Sequence, residues 1–415
     1  VNRRERNSNG KMRTSNLNRL LRHTAPHRFL LLCLPFTASC SEGSVPEPCA
    51  ELPTRTVLVY LAGDNNLEEI GRTPELLRQG WKDTGSKCLI YYDAPQAAPK
   101  LFALTIRHSD ASSVLETVEE YPEENSSSAG VFGRVLADVV RKYPSDSYGL
   151  IFASHGSGWL PCGALSDPTR TIGDDRTPGT TGGAREMEIT DFAAAIPDHQ
   201  FDFIIFEACL MSGIEVAYEL RNKTDYLLAS SAELLVPGYA PVYPTAFQYL
   251  FDTSLGVPQA LEKFAGSYFN YIDTRNGAYR SATQSIVYTR EMDALAILAG
   301  KTTGNTHGRW DDALLGKLQH FDRPGSYGDI PARPRYFDFG QYMAYLAPER
   351  QADLDALLRK TVVWKAATPE FMAGYNGFTI LTHSGLTTYI EQDEFPELNA
   401  AYKKTAWWKA THVQK

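Results

Sequence analysis

The sequence lacks the short motifs that identify several large classes of protein. It has no CxxC pair, no HExxH motif and no glycine-rich phosphate loop, which argues against the zinc and nucleotide sites that those motifs build. The chain has only six cysteines in 415 residues, a much lower density than in small domains that are stabilised by disulfides. No apolar run approaches the roughly 20 residues that a membrane-spanning helix needs.

Positive charge is also scarce. The formal net charge is −8, with 41 Lys and Arg against 49 Asp and Glu. Nucleic-acid binding needs clustered basic residues that contact phosphates, so this composition argues against a nucleic-acid partner. The hydrophobic share of 43% and the charged share of 22% are ordinary for a globular protein with a sizeable core. The length allows one large domain or two of ordinary size.

The first 40 residues have the pattern of an export signal. Basic residues at 19–28 precede a short apolar run at 29–36, and small residues then lead to Cys40. Small residues directly before a cysteine resemble a bacterial lipobox. This predicts that Cys40 is lipidated and anchors the chain in the cell envelope, at the periplasmic or outer-membrane face. The alternative is a plain cleaved signal and a secreted protein. Residues 41–53 are predicted to be a short tether.

Two short apolar strands end next to residues that can do chemistry together. One strand, at 148–154, leads into His155, and another, at 202–206, leads to Cys209. Buried parallel strands have such apolar runs, and their carboxyl ends meet at one edge of the sheet. The 54 residues from His155 to Cys209 leave room for a single crossover, so the two side chains are expected to meet. The thiolate is the nucleophile, so the thiol needs this base, and a helix beginning beside Cys209 would stabilise the thiolate further.

The segments around these two residues carry a resemblance to a known family. The stretches HGSGW and EACLMS resemble the catalytic motifs of the clostripain-like cysteine peptidases, which are grouped with caspases, legumains and gingipains, and YLAGDNNLE at 60–68 is similar to the first strand and turn of that family. Alone, a cysteine after a strand is more often a small core residue. The resemblance implies a cysteine endopeptidase, with Cys209 as nucleophile and His155 as general acid and base. Backbone N–H groups near Gly156 and Cys209 would hold the oxyanion.

The same resemblance indicates where a substrate binds. Glu207 lies two residues before Cys209, where the family typically has an aspartate in the pocket for a basic side chain. A carboxylate there can pair with a substrate cation, so cleavage after Arg or Lys is expected, with the choice between them left open. The alternative is that Glu207 pairs with an internal arginine. A segment that looks like the family's substrate-lining loop adds Ser230, Ser231 and Glu233 as candidate substrate-binding residues.

The alternation of strands and helices predicts an α/β fold. It indicates a mostly parallel central sheet with helices on both faces, and the resemblance specifies a caspase-like sandwich. Residues 54–256 are expected to form the catalytic core. Residues 257–415 are expected to complete the sheet with helices as a C-terminal α/β extension. A helix is predicted at 67–80, and strands are predicted at 56–62, 87–93, 100–107, 148–154, 202–206, 226–230, 281–290 and 376–383.

A long polar segment separates the His motif from the Cys motif. Residues 161–186 are rich in Gly and Pro and show no periodicity, which is typical of a functional or mobile loop. Such a segment is easily cut, and it carries Arg170, Arg176 and Arg185, the residue type that the enzyme is expected to prefer. We expect autocleavage after one of them, with Arg170 favoured, and both fragments staying together in one sheet. The alternative is a surface loop that is never cut.

The sequence predicts no required cofactor and no metal site. Some members of the resembled family depend on calcium, but the chain has no 12-residue EF-hand spacing; the acidic residues considered as Ca²⁺ ligands are Asp64, Asp174, Asp175 and Asp191. A disulfide between Cys49 and Cys88 is left open. The expected partners are protein or peptide substrates, and a monomer is expected.

Two other functions remain compatible with the sequence. One is a non-catalytic envelope lipoprotein that binds peptides or glycans on a peptidase-like scaffold. The other is an esterase or amidase that uses Cys209. Complete His and Cys motifs favour the peptidase, because a scaffold without catalysis does not need both.

Overall fold

The computed structural model describes residues 55–165, 172–176, 186–303, 312–326 and 332–412. The predictions for residues 1–53, including lipidation of Cys40 and a disulfide to Cys49, lie outside these ranges, as do Arg170 and Arg185. None of the helices within the described ranges is long and apolar enough to cross a membrane.

A large twisted sheet forms the centre of the described chain. The strands are β1 (Thr56–Ala62), β2 (Lys87–Asp93), β3 (Lys100–Ile106), β4 (Ser113–Glu120), β5 (Tyr148–Ala153), β6 (Phe201–Glu207), β7 (Thr224–Ala229), β8 (Thr283–Tyr288), β9 (Phe337–Asp338), β10 (Val362–Ala367), β11 (Glu370–Phe371), β12 (Phe378–Thr379) and β13 (Thr387–Thr388). Nine of them pair in the order β10–β8–β7–β6–β5–β1–β2–β3–β4. The five strands from β7 to β2 are mutually parallel. The outer strands join them in antiparallel pairs.

Helices cover both faces of this sheet. They are α1 (Thr73–Gly80), α2 (Ala129–Lys142), α3 (Ile189–Ala194), α4 (Ile214–Glu219), α5 (Tyr243–Ala246), α6 (Val257–Asp273), α7 (Met292–Thr303), α8 (Asp312–Leu315), α9 (Phe339–Leu346), α10 (Gln351–Thr361), α11 (Pro396–Tyr402) and α12 (Ala406–Thr411). One apolar core contains residues of α2, α3, α4, α7 and the C-terminal helices. The other contains residues of α1, α5 and α6. The predicted α/β fold with a mostly parallel sheet between two helical layers is therefore confirmed.

The central strands are apolar throughout because both of their faces are covered. Every residue of β1 is buried. Leu58 and Tyr60 belong to the core beside α2, whereas Val57 and Val59 belong to the core beside α6. Side chains of a strand alternate between the two faces, so a strand that is buried on both sides needs an apolar residue at nearly every position. This explains the continuous apolar runs that ended in His155 and Cys209.

Sequence patterns were less informative at the edges of the sheet. β4 is an edge strand that was not predicted, and its residues are half-buried or exposed. At the opposite edge, β10 pairs with β8, whereas the strand predicted at 376–383 shortens to β12, which pairs only with β11. Edge strands contact a partner on one side only, so they do not require the continuous apolar run that identifies a central strand.

The first helical segment is divided near a proline. A single helix was predicted at 67–80, but residues Glu68–Arg72 form a 3₁₀ helix and α1 begins at Thr73. Pro74 has no backbone N–H and favours the first turn of a helix over its interior. Leu77 is buried as predicted, while Leu67 and Ile70 are only partly buried.

The close approach of β5 and β6 provides a test of this packing. Gly149 lies opposite Phe203, and a Cβ atom added to Gly149 would lie 2.2 Å from the buried ring of Phe203. Gly149→Ala should therefore lower the free energy of unfolding by about 1–3 kcal/mol through overpacking. Gly130→Ala in α2 is the matched control, since its added Cβ meets no atom within 4 Å. Urea denaturation of both variants checks the prediction. Equal stability of the two would contradict it.

Candidate active site

His155 and Cys209 follow two neighbouring parallel strands at the same edge of the sheet. In the register of β5 and β6, Ala153 lies opposite Glu207, and each candidate follows its strand by two residues. The two chain segments remain in contact beyond the strands. A Cβ atom on Gly156 would lie 2.7 Å from the carbonyl oxygen of Cys209. The fold therefore brings the His and Cys motifs together. Their close approach requires a glycine at position 156.

The imidazole of His155 is held by the turn that follows β1. His155 is buried, and its Nε2 lies 2.7 Å from Oδ1 of Asn66. An amide oxygen only accepts hydrogen bonds, so a hydrogen bond at this contact requires a proton on Nε2. Asn66 was not among the predicted site residues. The only sequence signal for it was its place in the GDNN turn.

The neighbouring residue Asn65 stabilises this turn. Its Nδ2 donates to the carbonyl oxygens of Ala62, at 2.7 Å, and Asp174, at 3.0 Å. Its Oδ1 accepts from the backbone N–H of Leu67 at 2.8 Å. Asn65 is also buried, so replacing it with an apolar residue would leave several backbone groups without partners. The turn that presents Asn66 to His155 is therefore built into the core.

Cys209 lies in a connection that pairs with the segment after β7. Its Sγ is 3.8 Å from the carbonyl oxygen of Leu234. The next residue, Leu210, has a positive φ of 62°, an uncommon conformation for a residue with a side chain. The N–H of Leu210 donates to Ala232 at 2.9 Å. The helix expected directly beside Cys209 begins only at Ile214, after an N-cap at Gly213, so its first turn does not open at the thiol.

The carboxylate of Glu207 is held by the segment from Tyr239 to Tyr243. It accepts a hydrogen bond from the backbone N–H of Tyr239, at 2.7 Å, and another from the hydroxyl of Tyr243. A Cβ atom on Gly238 would lie 2.4 Å from Oε1 of Glu207, so the loop packs tightly against the carboxylate. Burial raises the pKa of Glu207 to about 7, and the hydrogen bonds from Tyr243 and Tyr239 oppose this rise. The partners are neutral, in contrast to the internal arginine considered as an alternative.

The three candidate substrate residues after β7 have buried side chains with partners inside the protein. Ser230, Ser231 and Glu233 are at most 4% exposed. Ser230 Oγ contacts Thr283 Oγ1 at 2.9 Å, Ser231 Oγ contacts His383 Nε2 at 3.1 Å, and Glu233 forms two hydrogen bonds of 2.8 and 3.0 Å with Arg323. The role of these side chains in substrate binding stays a prediction. The contacts that this segment makes to the Cys209 connection involve its backbone.

A short part of the polar insert packs against the His motif. In the described residues 172–176, the N–H of Gly173 donates to the carbonyl oxygen of His155 at 3.0 Å. The N–H of Asp174 contacts Ser154 Oγ at 3.3 Å. The N–H of Arg176 donates to the carbonyl oxygen of Asp64 at 2.8 Å, and its side chain contacts Asp174 at 3.4 Å. This stretch of the insert is therefore bound to the core.

A buried pair of carboxyl groups lies beside the same stretch. Asp93, at the end of β2, and Asp175 are fully buried. The Oδ2 of Asp175 accepts from the backbone N–H and the hydroxyl of Ser126. Burial raises the pKa of Asp93 to about 8; a hydrogen bond from Ser126 opposes the rise, while neighbouring Asp175 adds to it. Within the described part of the chain, no group of three or more His, Cys, Asp or Glu residues is arranged to hold a metal ion. The Ca²⁺ question stays open.

Comparison with known proteins identifies the family. The model of the clostripain family matches residues 59–298. The chain is 26% identical over 290 residues to clostripain of Hathewaya histolytica, covering 62% of this chain and 52% of that protein. The chain thus spans about half the length of the curated relative it matches. Because the family model covers more than half of the chain, the protein belongs to the clostripain family.

Two solved structures resemble almost the whole chain. One is an inactive zymogen C11 protease from Parabacteroides distasonis, with 28% identity, a TM-score of 0.71, and coverage of 89% of this chain and 100% of that one. The other is a secreted C11 cysteine protease from Bacteroides thetaiotaomicron in complex with an irreversible peptide inhibitor, with 25% identity, a TM-score of 0.73, and coverage of 87% and 99%. The resemblance to the clostripain-like peptidases and the expected caspase-like fold class are confirmed.

Proposed function

We propose that this protein is a cysteine endopeptidase that cleaves peptide bonds after basic residues, with Cys209 and His155 as its catalytic dyad. The observation that carries the proposal is the register of β5 and β6, which brings the two side chains to one edge of the sheet. Family membership supports a peptidase reaction on protein or peptide substrates. The proposed reaction uses residues of this chain alone and requires no metal ion.

The proposed reaction has two steps. Sγ of Cys209 attacks the scissile carbonyl carbon as a thiolate, and the C–N bond breaks to give a thioester. His155 donates a proton to the leaving amine and then accepts one from the water that hydrolyses the thioester, so the dyad is regenerated. Backbone N–H groups near Gly156 and Cys209 would stabilise the oxyanion in both steps. Asn66 supports both steps, because its contact with Nε2 orients the imidazole of His155.

Glu207 is proposed to select the basic residue. Its carboxylate lies two residues before Cys209, and each of its oxygens accepts one hydrogen bond from the Tyr239–Tyr243 loop. A carboxylate oxygen has capacity for further donors, so a guanidinium or ammonium group can be added to this arrangement. The pKa of about 7 means that the carboxylate is fully charged only above neutral pH. Selection for a cation should therefore strengthen as the pH rises.

The predicted location and processing also remain part of this proposal. We place the mature protein in the bacterial envelope through lipid on Cys40, or outside the cell after plain signal cleavage. The relative from Bacteroides thetaiotaomicron is described as secreted, which supports export in either form. Among the three arginines of the insert, Arg176 is held through its backbone N–H and its side chain. Autocleavage is therefore proposed after Arg170 or Arg185.

The dyad is tested by replacing each member. Cys209→Ala and His155→Ala should each abolish cleavage of Arg- or Lys-containing peptides, because the nucleophile or its proton carrier is lost. Asn66→Ala should lower kcat by roughly 10–100-fold, since the imidazole loses the partner that sets its tautomer. Cys162→Ser is the control and should keep the parent rate. Continuous peptide-cleavage assays on folded variants measure these effects. Turnover that survives in Cys209→Ala would remove the peptidase assignment from this site.

Selection by Glu207 is tested with matched substrates that carry arginine or its uncharged analogue citrulline. The parent's preference for arginine should rise between about pH 6 and about pH 8 as the carboxyl loses its proton, and Glu207→Gln should lower that preference by about 10²-fold at the higher pH. Tyr243→Phe removes a hydrogen bond that lowers the pKa of Glu207, so it should move the rise to higher pH. A preference that survives Glu207→Gln but is lost in Glu233→Gln would assign selection to Glu233.

Autocleavage is tested on a denaturing gel. Purified parent protein should give two bands that remain associated under native conditions, because β5 and β6 on either side of the insert belong to one sheet. Cys209→Ala should give one band, and added active enzyme should convert it to two if the cut occurs between molecules. Arg176→Gln is the control and should still be cut. A single band from fully active parent protein would show that no cut is needed.

A further inference from the structure

The loop that carries Cys209 is attached to a distant part of the chain. Ser212, three residues after the thiol, donates through Oγ to the carbonyl oxygen of Gly385 at 2.7 Å. The carbonyl oxygen of Ser212 accepts from the N–H of Thr387 at 2.9 Å, and Gly213 forms a parallel bridge with Thr387. Hydrogen bonds and one isolated bridge therefore attach the end of this loop to a segment about 170 residues later in the chain.

A buried carboxylate strengthens this attachment. Glu215 is only 2% exposed. Its Oε1 accepts a hydrogen bond from Thr388 Oγ1, at 2.9 Å, and another from the N–H of Tyr389, at 3.0 Å. Burying a carboxylate is unfavourable unless donors replace its hydration, so these donors must be in place for the loop to adopt this conformation. Glu215 thereby couples the position of residues 387–389 to that of the Cys209 loop.

The same residues also contact the loop that carries His155. The ring of Tyr389 lies 5.2 Å from that of Trp159, and Tyr402 lies 5.1 Å from Trp159 and 5.2 Å from Tyr389. Trp159 is four residues after His155 and is buried. A second contact comes from Tyr336, whose hydroxyl donates to the carbonyl oxygen of Ser157 at 2.6 Å. Tyr389 thus contacts Glu215, in the helix α4 that follows the Cys loop, through its backbone and the His loop through its ring.

We propose that Thr388 and Tyr389 are positioning residues, which set the place of Cys209 relative to His155. They join Glu215, in the helix α4 that directly follows the Cys209 loop, to Trp159 on the His155 loop. The inference rests on the proposed dyad and deepens it. Strand pairing aligns the two loops only as far as Ala153 and Glu207, and beyond that point the loops need other contacts to stay in register. The family model ends at residue 298, so these contacts come from a part of the chain beyond the matched region.

The test separates positioning from simple stability. Tyr389→Leu removes the ring that contacts Trp159 but keeps the backbone N–H that binds Glu215. Thr388→Val removes one donor to Glu215 with little change in shape. Thr361→Val and Phe251→Leu are matched controls. Thr361→Val removes the hydrogen bond from the Thr361 hydroxyl to the carbonyl oxygen of Leu357. Phe251→Leu removes the ring contact between Phe251 and Trp81. Both control residues lie outside the two loops and outside residues 385–389. Tyr389→Phe retains the ring that contacts Trp159, so it should keep the parent positioning of Cys209.

Two measurements are made on each full-length variant at a temperature at which it is folded. The first is the pH dependence of alkylation of Cys209 by iodoacetamide, followed by mass spectrometry of the peptide that contains it. The second is kcat and KM for a peptide substrate. Tyr389→Leu and Thr388→Val should lower kcat by about tenfold or more with little change in KM, because misplacement of reacting groups acts on the chemical step. They should also shift the alkylation profile. The controls should lose thermal stability without either effect.

The outcomes are decisive in both directions. Normal kcat and a normal alkylation profile in Tyr389→Leu and Thr388→Val, with a loss of Tm equal to that of the controls, would overturn the inference and leave the junction a structural contact. A shifted profile restored by Tyr389→Phe would support it. Alkylation does not depend on peptide cleavage, so it reports on positioning even if the parent protein fails to cleave peptides. Failure of the proposed function and failure of this inference are therefore distinguishable.

Discussion

The candidate active site depends first on the parallel pairing of β5 with β6. Because Ala153 lies opposite Glu207, the residues that follow the two strands emerge side by side, and a shift of one residue would turn each side chain to the other face of the sheet. The register is enforced by packing as well as by hydrogen bonds. Gly149 leaves just enough room for Phe203, and Gly156 leaves room for the backbone of Cys209. The packing at Gly149 and Gly156 therefore helps to set the relative position of His155 and Cys209.

One half-buried and one buried acidic group form a second constraint around the same edge. Glu207 and Glu215 lie on either side of Cys209 in the sequence, and burial raises the pKa of each to about 7. Each is held by backbone N–H and hydroxyl donors, whereas Glu233 is paired with Arg323. Carboxylates of this kind are stable only when their donors are present, so the loops that supply the donors are tied to the site. The polar contacts that organise the site thus come from several separate segments of the chain.

The C-terminal part contributes more to this site than a supporting layer would. It supplies β10 at one edge of the sheet, His383 against Ser231, and the residues that contact the loops of His155 and Cys209. The matched family region ends at residue 298, but the two structural relatives align with nearly the whole chain. This agreement indicates that the later residues belong to the same fold as the loops of His155 and Cys209, since they share a core with them.

The sequence alone determined the central strands, the two motifs at their ends and the family. It could do so because strands buried on both faces require continuous apolar runs, and because the His and Cys motifs are local in the chain. Only the tertiary structure revealed the contact of Asn66 with His155, the internal partners of Ser230, Ser231 and Glu233, and the junction at Thr388 and Tyr389. These contacts join residues far apart in sequence, and their geometry follows from the packing of several elements at once. Local patterns such as periodicity and charge do not encode which distant side chain will fill a given space, so that part was decided by the fold.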